Sequence, residues 1–189
     1  MVFSSDNGPE NITFRDGTFG SAGGLRGRKR SLYEGGVRVP GIIRWPGTTP
    51  AGAVTDALVS TVDLLPTFVA LAGGTLPAGA QPDGLDITPV LRGEAFGRDT
   101  PLMWEWRFPA PPDRYSDDNP ERDDFWPSYG MREGDWMLLD NPDLGRTELY
   151  RLSDDPSQEH DRAIQHPDVV ERFKAHAEAW ATGLSTPTG

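Results

Sequence analysis

One stretch near the start of the chain limits its possible folds more than any other. Val2 and Phe3 are typical of the end of a buried strand, and the turn Asp6-Asn7-Gly8 follows two serines. Such a strand would deliver a carboxylate and an amide to the carboxyl edge of a sheet, where open α/β folds bind ligands. The side-chain oxygens of Asp6 and Asn7 are hard donors, which Ca²⁺ and Mg²⁺ prefer.

A glycine-rich stretch over residues 17–27 separates this turn from a basic run and predicts a flexible loop. The loop would bring Lys29, which lies between Arg28 and Arg30, back toward Asp6. A hard cation and a lysine at one point would form a site for a tetrahedral oxyanion such as sulfate or phosphate. Each part alone has a plainer interpretation, since Asp-Asn-Gly is an ordinary turn and a basic run is usually a solvated face. The combination is more specific than either part.

The order of these motifs resembles a known family. S-S-D-N-G (residues 4–8) followed by L-R-G-R-K-R-S-L-Y-E-G-G-V-R-V-P (residues 25–40) resembles the downstream active-site segment of the type I sulfatases, which belong to the alkaline-phosphatase-like superfamily. Residues 62–73, 134–138 and 148–156 agree with the same family in order. The resemblance covers nearly the whole chain, and residues 105–128 lie outside any family motif.

The resemblance implies roles for individual residues. Asp6 and Asn7 would be metal ligands, for Ca²⁺ in preference to Mg²⁺, and Lys29 would contact the sulfate group of the substrate. The turn Glu34-Gly35-Gly36 would shape the backbone behind the lysine. The family often has glycine beside this lysine, so the two flanking arginines are a local departure from its pattern.

The nucleophile segment of the family is not found in this sequence. Sulfatases convert the Cys or Ser of C/S-x-P-x-R to formylglycine, whereas this chain has no cysteine and no serine in the full pattern. Its three histidines, His160, His166 and His176, all lie near the end. We therefore expect a C-terminal portion of a sulfatase that needs the upstream half of the fold, with its formylglycine, to hydrolyse sulfuric esters. The chain alone is expected to be inactive.

The charge distribution favours a small anionic ligand. The net charge of −11 argues against nucleic-acid binding. Residues 11–50 nevertheless hold seven Lys or Arg against only Asp16 and Glu34, which suits a small anionic ligand better than a polyanion. The family resemblance implies that this ligand is a sulfate ester of a carbohydrate or an aryl group. No stretch is long and apolar enough to span a membrane, and the start lacks the regions of a signal peptide, so the localisation stays open.

The remaining patterns predict a partial α/β sheet followed by a small α+β unit. Residues 1–97 would be the C-terminal part of an alkaline-phosphatase-like catalytic domain, with an edge strand over 37–43 and a helix over 62–72 capped by Asp63. Residues 98–189 would form a subdomain with an antiparallel meander over 129–152 and a helix over 167–181.

An aromatic, acidic and proline-rich segment over 101–127 is predicted as a loop. Such loops are usually only solvated, but Trp104, Trp106 and Trp126 could instead stack on a sugar ring.

Two other functions remain open. A phosphoesterase of the same superfamily would carry Ser or Thr as nucleophile, which the upstream motif would reveal. A non-catalytic anion- or carbohydrate-binding module would fold and bind its ligand without any upstream half.

Overall fold

A computed structural model describes residues 1–10, 20–106 and 124–184 of the chain. They group into two compact units. The first consists of Met1–Ser4 with Pro40–Thr100, and the second of Ser5–Val39 with Pro101–Gly189. The predicted division into two domains, residues 1–97 and 98–189, stays a prediction.

The first unit contains a two-stranded ladder. Strand β1 (Val2–Phe3) pairs antiparallel with β2 (Ile42–Ile43). The predicted edge strand over 37–43 is thus confirmed only over its end. The predicted burial of β1 is wrong, since Val2 is 40% and Phe3 56% exposed. The physical reason is that each strand of this ladder has only 2 residues, so the ladder covers little apolar surface.

The helix predicted over 62–72 begins as a 3₁₀ turn, Thr61–Asp63, and continues as α2 (Leu64–Leu71). Gly73 ends it in the left-handed region with a φ of 66°. A short helix follows at Thr88–Leu91, which we call α3. Part of the predicted apolar face of α2 is open to solvent, since Leu65 is 59% and Phe68 48% exposed.

The sequence predicts that Asp63 caps α2 with its side chain, but this side chain makes no capping hydrogen bond to that helix. Its buried carboxylate instead accepts hydrogen bonds from the backbone amides of Ser60 (2.7 Å) and Leu85 (2.8 Å), and forms an ion pair with Arg98. Asp63 therefore ties the start of the helix to two later loops of the first unit.

The second unit contains helix α1 (Glu34–Val37) and a four-stranded antiparallel meander. Its strands, in sheet order, are β3 (Leu102–Glu105), β4 (Tyr129–Glu133), β5 (Trp136–Asn141) and β6 (Arg146–Arg151). The predicted meander over 129–152 is confirmed, with Gly134 and Gly145 at positive φ in its turns. Strand β3 falls where the sequence predicts a loop. Only Trp104 of its four residues is of a type enriched in strands, so pairing with β4 determines this element.

Both faces of this meander are buried. Successive side chains along β5 point to opposite faces, and its consecutive residues Met137, Leu138 and Leu139 are all buried. Leu138 faces helix α4 (Pro167–Leu184), whereas Met137 and Leu139 face the opposite side. The buried residues on the α4 side are Met131, Leu138, Leu149, Val169 and Phe173. Those on the other side are Leu32, Tyr33, Trp126, Met137, Leu139, Tyr150 and Leu152. The segment that carries the predicted site thus packs through Leu32 and Tyr33 on one face of the sheet. None of the helices in the described residues is long and apolar enough to cross a membrane.

Candidate active site

Two short segments of the second unit come together at the predicted site. The amide of Gly8 donates a hydrogen bond to the carbonyl of Gly36 (2.8 Å), and the amide of Lys29 donates to the carbonyl of Pro9 (2.9 Å). The Asp-Asn-Gly turn and the lysine loop are therefore joined backbone to backbone. The structure brings together what the sequence placed about twenty residues apart.

Glycines make this close approach possible. A Cβ on Gly8 would lie 1.9 Å from the carbonyl oxygen of Gly35, and one on Gly36 would lie 2.0 Å from that of Ser31. A Cβ on Gly35 would meet the carbonyl of Gly27 at 2.2 Å. No side chain fits at these distances, so the glycines of the turn serve backbone packing.

Asp6 and Asn7 lie at the open end of the first segment. Asp6 is exposed and Asn7 is half-buried. The hydroxyl of Ser5 donates to the Asn7 carbonyl (2.9 Å), which fixes the backbone of the turn. Two adjacent oxygen donors fit a hard cation, but Ca²⁺ takes six to eight. Across residues 1–10, 20–106 and 124–184 no group of three His, Cys, Asp or Glu side chains could hold a metal ion.

The lysine loop places three cations at Glu10. Lys29 and Arg30 face its carboxylate, and Arg28 contacts its backbone carbonyl. The side chain of Lys29 is 40% exposed, and its Nζ lies 3.9 Å from Oε2 of Glu10. Arg30 pairs with both carboxylate oxygens of Glu10, and Arg28 donates to the backbone carbonyls of Glu10 (3.4 Å) and Gly20 (3.1 Å). Residues 28–30 thus bring three adjacent positive charges to one side of the predicted site.

A buried polar network anchors the loop on the sheet. The hydroxyl of Tyr33 donates to Oε2 of Glu148 (2.5 Å) and accepts from Nε1 of Trp126 (2.9 Å). Tyr150 donates to the same carboxylate oxygen (2.6 Å), and Arg146 pairs with the other oxygen (2.7 Å). Burial, reinforced by the hydrogen bond to Glu148, raises the pKa of both tyrosines above their usual range. Both phenols therefore stay protonated as donors.

Arg26 covers this network from the side of the loop. Its guanidinium lies 3.9 Å above the ring of Tyr33, and Nε pairs with Asp124 (2.7 Å). The loop around Lys29 is thereby held on both sides, by Arg26 before the lysine and by Tyr33 after it.

Glu34 lies behind the loop and is buried. Its carboxylate pairs with Arg132 (3.3 Å) of β4 and with Arg38 (3.4 Å), and its amide donates to Oε1 of Gln158 (2.7 Å). These contacts accord with a role in shaping the turn, as the resemblance implied.

The three tryptophans of the predicted substrate loop occupy different environments. Trp126 is 8% exposed, and the guanidinium of Arg146 lies 4.3 Å from its ring centre. Trp104 is partly buried against the same core, and Trp106 is 36% exposed. Sugar stacking stays a prediction. Trp106 is the most exposed of the three tryptophans. The other aromatic residues of that loop, from 107 to 123, lie outside the described residues.

Sequence reasoning missed Glu10 and Glu148. Glu10 follows the predicted ligands in N-G-P-E, and its charge opposite a basic triplet was an available signal. Glu148 lies on β6, on the same face as Tyr150. A carboxylate next to an aromatic residue on one face of a strand was a signal that it needs buried partners.

Comparisons with known proteins agree on one family. The family described as Sulfatase matches residues 1–74. Arylsulfatase A of Homo sapiens is 47% identical over 93 residues, which are 49% of this chain and 18% of that protein. A sulfatase of Formosa agariphila is 34% identical over 203 residues, which cover 100% of this chain and 34% of that protein.

Solved structures give the same result for the fold. The structure of Ps i-CgsB in complex with k-i-k-neocarrahexaose superposes with a TM-score of 0.74 and 28% identity, covering 95% of this chain and 35% of that one. The predicted fold class is confirmed, and the phosphoesterase and binding-module alternatives are not favoured. The chain spans between 18% and 35% of the lengths of these three proteins.

Proposed function

We propose that this chain is a C-terminal portion of a sulfatase. In this role it supplies the metal-binding turn and the sulfate-binding lysine of a sulfuric ester hydrolase. Asp6 and Asn7 bind the metal ion, and Lys29 binds the sulfate group of the substrate. The formylglycine nucleophile belongs to the upstream part of the sulfatase fold.

The observation that carries this proposal is the pairing of the two site segments. The hydrogen bonds from Gly8 to Gly36 and from Lys29 to Pro9 hold the metal-binding turn beside the lysine loop. A sulfate group has oxygens enough to contact a cation on one side and an ammonium on the other. Preorganised donors of this kind stabilise charge that develops on the oxygens of the group being transferred.

The metal in this proposal is Ca²⁺. The two donors of the turn are a carboxylate and an amide oxygen, which suit a hard cation, and the remaining ligands come from the upstream part of the fold. When bound, the ion polarises the sulfate oxygens as a Lewis acid. This chain contributes the exposed Asp6 carboxylate, which Ser5 contacts through its hydroxyl (3.5 Å).

The substrate class that we propose is a sulfated carbohydrate, with aryl sulfates as convenient reporters. One solved relative was crystallised with a neocarrahexaose. Trp106, which follows β3 and is 36% exposed, is the aromatic residue that we propose for contact with a sugar. The three adjacent positive charges of the lysine loop attract the sulfate of such a substrate before it binds.

The test uses this chain joined to the upstream portion of a sulfatase that carries C/S-x-P-x-R and its formylglycine, which we call the joined enzyme. Lys29→Ala should lower kcat/KM for an aryl sulfate on the order of a hundredfold or more, because one preorganised donor is lost. Lys29→Arg should rescue poorly, since a planar fork does not replace a compact charge.

The matched control is Lys174→Ala, the other lysine of the chain, which pairs with Asp140 (3.2 Å). It should leave kcat/KM unchanged. Equal losses in Lys29→Ala and Lys174→Ala, or full turnover in Lys29→Ala, would contradict the proposed function.

A further inference from the structure

We propose that Glu10 is a positioning residue that fixes the Lys29 ammonium relative to the Asp6-Asn7 turn, and that it does so by forming a clamp with Arg30. This inference rests on the function proposed above. It adds a residue that acts through the lysine rather than on the metal or the sulfate.

Glu10 is the point at which all three cations of the loop meet. Its carboxylate takes two bonds from Arg30, Nη1 to Oε1 and Nη2 to Oε2 (3.1 Å). Nζ of Lys29 lies 3.9 Å from the same Oε2. Arg28 reaches the backbone carbonyl of Glu10 (3.4 Å). This carboxylate lowers the repulsion between the adjacent cations of the loop.

The backbone conformation of Arg30 supports a structural role for the pair. Its φ is 75°, in the left-handed region that favours glycine and costs other residues free energy. Such conformations persist where the surrounding contacts over-determine them. The two-bond pair with Glu10, which is only 24% exposed, is a contact of this kind.

The two cations use Glu10 differently. Arg30 forms a bidentate pair, in which both carboxylate oxygens are engaged. Lys29, at 3.9 Å, is attracted by the carboxylate but lies beyond hydrogen-bonding distance. Its ammonium is therefore oriented while its protons remain available for the oxygens of a sulfate.

The position of Glu10 in the chain makes the clamp relevant to the metal. Glu10 lies three residues after Asn7 on the segment that carries both proposed ligands, and Pro9 between them accepts the Lys29 amide (2.9 Å). One segment thus carries both proposed ligands and the carboxylate that orients the ammonium. Loss of the clamp changes the distance between the ligands and the ammonium.

The experiment is a double-mutant cycle in the joined enzyme, with Glu10→Gln, Lys29→Ala and the double variant. Glu10→Gln should lower kcat/KM for an aryl sulfate roughly ten- to a hundredfold, as misplacement of a catalytic group does. It should weaken inhibition by inorganic sulfate by a similar factor. In the Lys29→Ala background the same change should add less than about twofold, because the two residues act as one unit.

The matched control is Glu133→Gln, which breaks an exposed Glu–Arg pair with Arg172 (2.6 Å) and should leave both quantities unchanged. Arg30→Gly tests the clamp from its other side, since glycine adopts a φ of 75° without strain. It should match the loss in Glu10→Gln while its melting temperature stays close to that of the unmodified enzyme.

The outcomes separate the two proposals. Full turnover in Lys29→Ala contradicts the proposed function itself. Loss of turnover in Lys29→Ala with full turnover in Glu10→Gln or Arg30→Gly overturns only the clamp. A Glu10→Gln loss that is as large without Lys29 as with it also overturns the clamp, because Glu10 would then act on something else.

Discussion

The hydroxyl of Tyr33 offers a quantitative test of the network that anchors the lysine loop. Tyr33 is fully buried and is the acceptor for Nε1 of Trp126. Tyr33→Phe keeps the ring but leaves that indole N–H, in a side chain 8% exposed, without this acceptor. Glu148 keeps its bonds from Tyr150 and Arg146. At pH 7 one orphaned buried donor should lower the free energy of unfolding by about 1–3 kcal/mol.

This deficit should shrink at alkaline pH. Burial and the bond to Glu148 raise the pKa of Tyr33 in the folded protein, whereas the unfolded chain titrates near its ordinary value of 10.0. The stability that depends on the protonated phenol is thus fully present below pH 10 and is lost as the pH rises further. At pH 11 the unfolded state of the unmodified chain gains about 1.4 kcal/mol from this ionisation, and Phe gains nothing. The two stabilities should therefore converge.

The assay is urea unfolding followed by far-ultraviolet circular dichroism at pH 7 and at pH 11. Trp126→Phe is the control, because it removes the same hydrogen bond without removing a titrating group, and its deficit should not narrow. A gap between the unmodified chain and Tyr33→Phe that is the same at both pH values would refute this account of the network.

Three further outcomes follow from the structure. The chain of 189 residues by itself should not hydrolyse aryl sulfates, with or without Ca²⁺, because it has no cysteine and no serine in C/S-x-P-x-R; turnover that persists through repurification would contradict this. Phe173→Ala should lower the free energy of unfolding by about 3–5 kcal/mol, whereas Leu144→Ala, at a side chain 63% exposed, should change it by less than about 0.5 kcal/mol; urea melts that show equal losses would contradict the packing of α4. Gly8→Ala should impair the joined enzyme, because its Cβ would lie 1.9 Å from the Gly35 carbonyl oxygen, whereas Gly41→Ala, with nothing within 4 Å, should be silent; steady-state rates decide between them.

Local patterns predicted the parts of the fold that depend on local contacts. The meander follows from the turn signals at residues 133–135 and 141–145, where Gly134 and Gly145 adopt positive φ. Helix α4 follows from Pro167 and an apolar stripe that includes Phe173. In each case the residues that determine the element lie within it.

Contacts between distant residues could not be predicted in this way. Nothing local indicates that the Tyr33 hydroxyl meets Glu148, which is 115 residues away. The sequence groups Trp126 with Trp104 and Trp106 in a candidate substrate loop, whereas its indole N–H donates to the buried hydroxyl of Tyr33. The Glu10–Arg30 pair is different, since opposite charges in facing segments of one loop were a usable signal.

The separation in sequence between the lysine loop and the sheet has a consequence for the order of folding. Strands β4, β5 and β6 are joined by short turns, so their pairing closes small loops. The bonds that fix Tyr33 and Glu34 on this sheet instead span 93, 115 and 124 residues. Because closing loops of this length costs more entropy, we expect these contacts to form after the strand pairs. The sheet with α4 is thus the early-folding part of the second unit, and the amides of Gly8 and Lys29 should exchange with solvent deuterium before those of β5.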